Sequence, residues 1–158
     1  MAIHLESPAF RSGEAIPRKH TGEGPDVSPP LQWSGLPEGT QELALVCDDP
    51  DAPRAEPWVH WVLYGLPGGT PGLPEGIPAE ATLAPPPARQ GRNDFDGALG
   101  YGGPMPPKGH GRHRYYFRLY ALGQRLDLPP GLDKKALLAA IRPHVLGEGE
   151  LMGTYERK

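Results

Sequence analysis

Glycine and proline interrupt this sequence at short intervals, which confines regular structure to a few segments. The chain has 22 glycines and 22 prolines among its 158 residues. Together they make up more than a quarter of the sequence, a level that can signal disorder. Here they alternate with well-patterned apolar segments, so we interpret them as turns and rigid loops between short elements of an ordered protein.

Four apolar segments are predicted to be strands, and two shorter ones are candidates for short additional strands. The four are residues 42–49, 58–66, 113–122 and 150–155, and the two are residues 3–5 and 31–33. In the first segment Leu43, Leu45 and Cys47 share one face, and Ala44 and Val46 share the other. Because both faces are apolar, this segment is predicted to be a central, buried strand.

One segment is predicted to be a helix, and one long segment is predicted to be mostly loop. Asp133 is a suitable N-cap for residues 134–141, in which Leu137, Leu138 and Ile141 form an apolar stripe at helical spacing. Residues 66–113 contain few regular patterns. So long a loop in a compact domain is usually functional, and this one leads directly into a strand with polar residues.

The overall properties of the chain narrow the classes of protein to which it can belong. Its length predicts a single domain over residues 1–158. The net charge of −3 argues against nucleic-acid binding. No apolar run reaches the roughly 20 residues of a membrane-spanning helix, and the first residues do not resemble a secretory signal. The single cysteine, Cys47, cannot form an internal disulfide, so we expect a cytoplasmic protein.

Several side chains with useful chemistry lie at the polar ends of the predicted strands. Strict alternation puts His113 and Tyr115 on one face of strand 113–122, and it puts Asp49 on the face of Leu43, Leu45 and Cys47. The same reading groups His60 with Val62 and Tyr64. If the three strands pair, Asp49, both histidines and Tyr115 could meet at one end of the sheet. In isolation, each of these residues also has an ordinary structural explanation.

Taken together, six segments resemble the phosphatidylethanolamine-binding protein family, specifically its bacterial branch, often called Raf-kinase-inhibitor-like. The segments, in residue numbers, are 49–53 (DPDAP), 58–61 (WVHW), 91–95 (GRNDF), 100–104 (GYGGP), 106–107 (PP) and 111–122 (GRHRYYFRLYAL). The resemblance implies an all-β fold with peripheral helices, in which a large antiparallel sheet is joined by a second small sheet. Bacterial relatives also suggest a homodimer. Many of them have cysteine at the position of Met105, so a thiol-dependent property is not expected here.

The resemblance also implies a pocket that binds phosphate-like head groups. Its lining would consist of Asp49, His60, Met105, Pro106, His113 and Tyr115. Imidazole N–H and phenol O–H groups donate to anion oxygens, and backbone N–H groups of a Gly/Pro turn could add to them. Asp49 would hold one imidazole and favour its charged form. We therefore expect sulfate affinity to fall as the pH rises from about 6 to 8, the range in which imidazoles ordinarily titrate.

The main prediction is a binding module of regulatory role that has no cofactor and no bound metal. The alternative is an enzyme, in which two histidines and one carboxylate hold a metal or act as acid and base. The sequence lacks the His-rich spacing of zinc motifs and a nucleophile-elbow serine. A third possibility is an inhibitor of a protease or kinase. Finally, the resemblance predicts that Ala52–Pro53 or Glu56–Pro57 is a cis peptide bond.

Overall fold

The computed structural model describes residues 2–158, and it consists of two antiparallel β-sheets with one α-helix against the larger sheet. Two short 3₁₀ helices cover Arg18–His20 and Arg142–His144. The α-helix, α1, covers Lys134–Ile141. In chain order the strands are β1 His4–Glu6, β2 Leu31–Ser34, β3 Glu42–Asp49, β4 Trp58–Pro67, β5 Gly72–Leu73, β6 Thr82–Leu83, β7 Ala88–Gln90, β8 His113–Leu122 and β9 Val145–Tyr155.

The larger sheet has the strand order β6-β7-β4-β3-β8-β9, and the smaller has the order β1-β2-β5. β3 pairs with β4 on one side and β8 on the other, and all eight of its residues are buried. This confirms the predicted central strand and the predicted fold class. β9 begins at Val145, five residues earlier than the sequence pattern predicts. In these first residues exposed side chains alternate with glycines, so the sequence shows no alternation of apolar and polar residues that would indicate a strand.

The two faces of the larger sheet have different partners. Leu45 and Cys47 lie on the face that packs against Leu5 and Trp33 of the smaller sheet. The opposite face packs against the helix through a second cluster of buried side chains: Ala44, Val46, Val59, Val62, Tyr64, Leu122, Leu137 and Ile141. The helix begins where predicted, because the Asp133 carboxylate accepts a hydrogen bond from the Ala136 N–H (2.8 Å).

A β-bulge in β4 changes the face on which His60 lies. Cys47 pairs with Trp61, and Asp48 pairs with Val59, so His60 is an extra residue without an opposite partner. Val59 and Val62 both lie on the helix side, whereas the His60 ring is 5.1 Å from the ring of Tyr115. The prediction that His60 shares a face with Val62 and Tyr64 was wrong, since the extra residue interrupts the two-residue period.

Two further sequence predictions change in the structure. The segment between β4 and β8 is mostly loop, but it contains the three short strands β5, β6 and β7. Among residues 2–158 the cis peptide bonds are Ala84–Pro85 and Pro85–Pro86, so the prediction for Ala52–Pro53 or Glu56–Pro57 was wrong. The free-energy difference between cis and trans X–Pro bonds is only about 0.5–1 kcal/mol, so tertiary context decides which proline bond is cis.

Candidate functional site

A cavity of about 370 Å³ opens where the ends of β3, β4 and β8 meet the 101–112 loop. The structure brings all six residues of the sequence prediction to its wall: Asp49, His60, Met105, Pro106, His113 and Tyr115. The remaining lining consists of Ala52, Pro53, Trp58, Phe95 and Pro107. Most of this wall is therefore aromatic, proline or methionine, and a few polar atoms lie at defined positions within it.

Asp49 holds the imidazole of His113. Its Oδ2 accepts a hydrogen bond from Nδ1 of His113 (2.6 Å), and its Oδ1 accepts from the backbone N–H of Asp51 (2.7 Å). Both side chains of the pair are almost fully buried, with 4% and 2% of their surface exposed. The carboxylate thereby fixes the orientation of the ring and leaves Nε2 as the nitrogen that can contact another group.

The imidazole of His60 is held by a backbone carbonyl group rather than by a carboxylate. It offers the cavity a hydrogen-bond acceptor, whereas a donor was expected from the sequence. Its Nδ1 lies 2.6 Å from the carbonyl oxygen of Gly102. A carbonyl oxygen can only accept, so Nδ1 carries the hydrogen, and in the neutral ring Nε2 has the lone pair. Burial lowers the pKa of His60, which favours the neutral form despite the nearby carboxylate of Asp49. Neutral His60 is thus a hydrogen-bond acceptor at Nε2.

Two buried hydrogen-bond donors at the cavity have no partner. Within residues 2–158, three buried side-chain polar atoms lack a hydrogen bond, and two of them are the Tyr115 hydroxyl and Nε1 of Trp58. Burial raises the pKa of Tyr115, so its hydroxyl keeps its hydrogen and remains a donor. Buried donors in native proteins are nearly always paired, so these two require an explanation.

Two backbone N–H groups of the glycine-rich segment beside His60 already have hydrogen-bond partners, so these two are not free to receive a ligand. The Gly102 N–H donates to the His60 carbonyl (2.9 Å), and the Gly103 N–H donates to Asp26 (2.8 Å). Gly103 also cannot be replaced easily, because an added Cβ would lie 2.3 Å from the His20 carbonyl oxygen. This segment is therefore a rigid wall that orients His60.

Sequence reasoning missed three contributors to the site. Trp58 and Phe95 belong to matching segments but were given no role in the predicted site, and His110 lies between two of those segments. His110 is exposed, but its Nδ1 lies 2.6 Å from Nε2 of His113. The spacing of two histidines three residues apart was the only available signal for this contact. Arg114, between His113 and Tyr115, is exposed and forms an ion pair with Asp51 (2.8 Å).

We expect the purified protein to contain no stoichiometric zinc or iron, and chelation to leave its melting temperature unchanged. No group of three His, Cys, Asp or Glu side chains within residues 2–158 is arranged to hold a metal ion. Three of the four ring nitrogens of His60 and His113 already have hydrogen-bond partners. Elemental analysis and thermal unfolding with and without EDTA test this. One equivalent of metal whose removal lowers the melting temperature would favour the enzyme alternative.

Within the described residues, no helix is long and apolar enough to span a membrane. Residues 6–156 match the family model described as phosphatidylethanolamine-binding protein. A protein of Methanothermobacter thermautotrophicus, named only as a UPF0098 protein, is 48% identical over 98% of this chain and 99% of its own length.

Two solved structures are similar over almost the whole chain. One is a phosphatidylethanolamine-binding protein homologue from Chlamydia trachomatis, with 39% identity, a TM-score of 0.88 and 99% coverage of both chains. The other is YbcL of Escherichia coli, described as a member of the mammalian family, with 33% identity, a TM-score of 0.91 and full coverage of both chains. The family model, the relatives and the folds agree, and the chain belongs to the phosphatidylethanolamine-binding protein family.

Proposed function

We propose that the cavity binds a small phosphoryl anion, such as phosphate or the head group of a phosphomonoester, and that the protein is a non-enzymatic binding module. Family membership supports a ligand-binding module. The observation that carries the narrower proposal is the pair of unpartnered buried donors, the Tyr115 hydroxyl and Nε1 of Trp58. Oxygen atoms of one anion could accept hydrogen bonds from both donors. Binding would then remove the free-energy cost of burying each donor without a partner.

The polar atoms of the cavity suit a phosphoryl group that still carries one proton. The donors are Tyr115, Trp58 and, when its Nε2 is protonated, His113, whereas neutral His60 offers a lone pair. The phosphate dianion and a phosphomonoester monoanion each have both oxygens that accept and one hydroxyl that can donate to His60. Sulfate has no hydrogen to donate at neutral pH, so we infer that phosphate is preferred over sulfate. This replaces the expectation that both imidazoles donate to any oxyanion.

The apolar part of the cavity supports a short organic substituent on the phosphoryl group. Phe95, Met105, Pro106 and Pro107 line the cavity beside the polar atoms. A volume of about 370 Å³ is near the lower end of small-molecule pockets, which begin at about 300 Å³. Phosphoethanolamine is accordingly a suitable probe.

The non-enzymatic part of the proposal rests on the state of the potential nucleophile. Cys47 is fully buried in β3, and burial raises the pKa of its thiol well above the ordinary range. A buried thiol with a raised pKa is a poor nucleophile. An acid/base hydrolase remains the alternative, and its signature would be turnover of the phosphoethanolamine probe.

Tyr115→Phe is expected to weaken phosphate binding about 5-fold, the effect of losing roughly one net hydrogen bond. The same change should leave the melting temperature of the ligand-free protein unchanged or slightly higher, because it removes an unpartnered buried hydroxyl. Calorimetric titration of wild type and variant with phosphate, phosphoethanolamine and sulfate, together with thermal unfolding, measures both effects.

His4→Ala is the control, since His4 is an exposed residue of β1 that contacts Glu6. Absence of phosphate and phosphoethanolamine binding to the wild type would refute the proposed function. Equal binding by wild type and Tyr115→Phe would place the ligand elsewhere.

A further inference from the structure

We propose that His110 blocks the ligand-binding nitrogen of His113 and that an anion must displace it to bind there. This inference rests on the proposed function and assigns a role in it to a residue outside the cavity wall. His110 lies in the loop before β8, and its ring centroid is 4.8 Å from that of His113. The hydrogen bond between Nδ1 of His110 and Nε2 of His113 measures 2.6 Å.

Competition follows from the number of hydrogen bonds that an imidazole can form. His113 has two ring nitrogens, and each forms one in-plane hydrogen bond. Nδ1 is bonded to the buried carboxylate of Asp49, and Nε2 is bonded to His110. His113 lines the cavity, but in this arrangement neither nitrogen is free to contact a ligand oxygen. An anion that bonds to His113 therefore has to replace either Asp49 or His110.

The two partners of His113 differ in how easily they can leave. Asp49 is almost fully buried at the end of β3, and it also accepts from the backbone N–H of Asp51. His110 is exposed and lies between Gly109 and Gly111, which both have positive φ angles (73° and 93°). Glycine adopts such angles without strain and permits large local changes of the backbone. His110 is thus the partner that an anion displaces.

The backbone around His110 can remain in place while its side chain leaves. The Gly109 N–H donates to the Arg157 carbonyl (3.0 Å), and Arg157 donates to the Pro106 carbonyl (3.1 Å). These bonds hold both ends of the 106–109 segment to the C-terminal segment after β9. A side-chain rotation of His110 breaks none of them, so displacement needs only the loss of the bond between the two imidazoles.

Removal of His110 is therefore expected to strengthen ligand binding. In the wild type, only the molecules in which the imidazole pair is broken can use His113 to bind the ligand. The apparent affinity is therefore the intrinsic affinity multiplied by the fraction of such molecules. His110→Ala should bind inorganic phosphate about 5-fold more tightly than wild type. This factor corresponds to the free energy of one net hydrogen bond, the one between the two imidazoles that the ligand no longer has to break. His110→Asn keeps a polar atom near the position of Nδ1 and should bind nearly as weakly as wild type. His4→Ala is again the control.

Two further measurements separate competition from a structural effect of the substitution. In His113→Ala, the additional His110→Ala change should give no gain, because the competed nitrogen is absent. In the wild type, ¹⁵N signals of the His110 ring should shift to those of a free imidazole as phosphate is added. Weaker binding by His110→Ala would make His110 a ligand donor, and equal binding would make it irrelevant; either result overturns this inference alone. Failure of the wild type and His110→Ala to bind phosphate would overturn the proposed function as well.

Discussion

Phosphate is expected to bind His113→Ala about 10- to 100-fold more weakly than the wild type. A hydrogen bond to a charged group contributes roughly 1.5–3 kcal/mol, and each 1.4 kcal/mol changes affinity tenfold. When an anion replaces His110, Nε2 of His113 has to donate while Nδ1 donates to Asp49. Both nitrogens then carry hydrogens, so the bound ring is an imidazolium between a carboxylate and the ligand. Among residues 2–158, no other cationic side chain lines the cavity.

This arrangement also predicts how binding depends on pH. Because the bound ring has to carry hydrogens on both nitrogens, sulfate, whose charge is constant between about pH 6 and 8, should bind more weakly as the pH rises. His113→Ala should lose most of this dependence. Phosphoethanolamine loses its last phosphoryl proton over the same range, so the lone pair of His60 then has no hydrogen to accept, whereas inorganic phosphate keeps one hydroxyl that can still donate. Calorimetry at both pH values tests these statements, and equal affinities for wild type and His113→Ala would show that the ligand binds elsewhere.

Trp61→Ala is expected to lower the free energy of unfolding by about 3–5 kcal/mol. Trp61 is completely buried between the two sheets, and its ring lies 5.4 Å from that of Tyr101. Its Nε1 donates to the side-chain oxygen of Gln90 (2.7 Å), which is itself fully buried. The substitution thus leaves both a cavity and a buried acceptor that has lost its partner. For a chain of this size, the melting temperature should fall by about 6–20 °C.

Trp61→Phe separates the two contributions to this loss. The phenylalanine keeps most of the aromatic ring but lacks the N–H group, so the side-chain oxygen of Gln90 loses its partner. The free energy of unfolding should therefore fall by only about 1–3 kcal/mol. Urea unfolding of the wild type and both variants measures the difference. A loss below 1 kcal/mol for Trp61→Ala would mean that the interior between the sheets is packed less closely than the structure indicates.

The amino-acid pattern was sufficient to predict the elements whose signals are local. Alternation of apolar residues predicted the buried central strand, and the bounds of β3 and β8 agree with the prediction at both ends. An Asp at the N-cap and a 3.6-residue apolar stripe predicted the bounds of the helix. The matching segments predicted the family, and six of the eleven residues that line the cavity were named from them. Each of these depends on neighbouring residues in the chain or on motifs with fixed spacing.

Tertiary structure alone decided how those residues function together. The extra residue in β4 turns His60 toward Tyr115, although strict alternation places it on the opposite face. The Gly102 carbonyl, 42 residues away in sequence, makes His60 an acceptor. The contact of His110 with His113 depends on the path of a glycine-rich loop. A bulge, a tautomer and a loop path are set by pairing between distant segments, and such pairing leaves no periodic signal in the sequence.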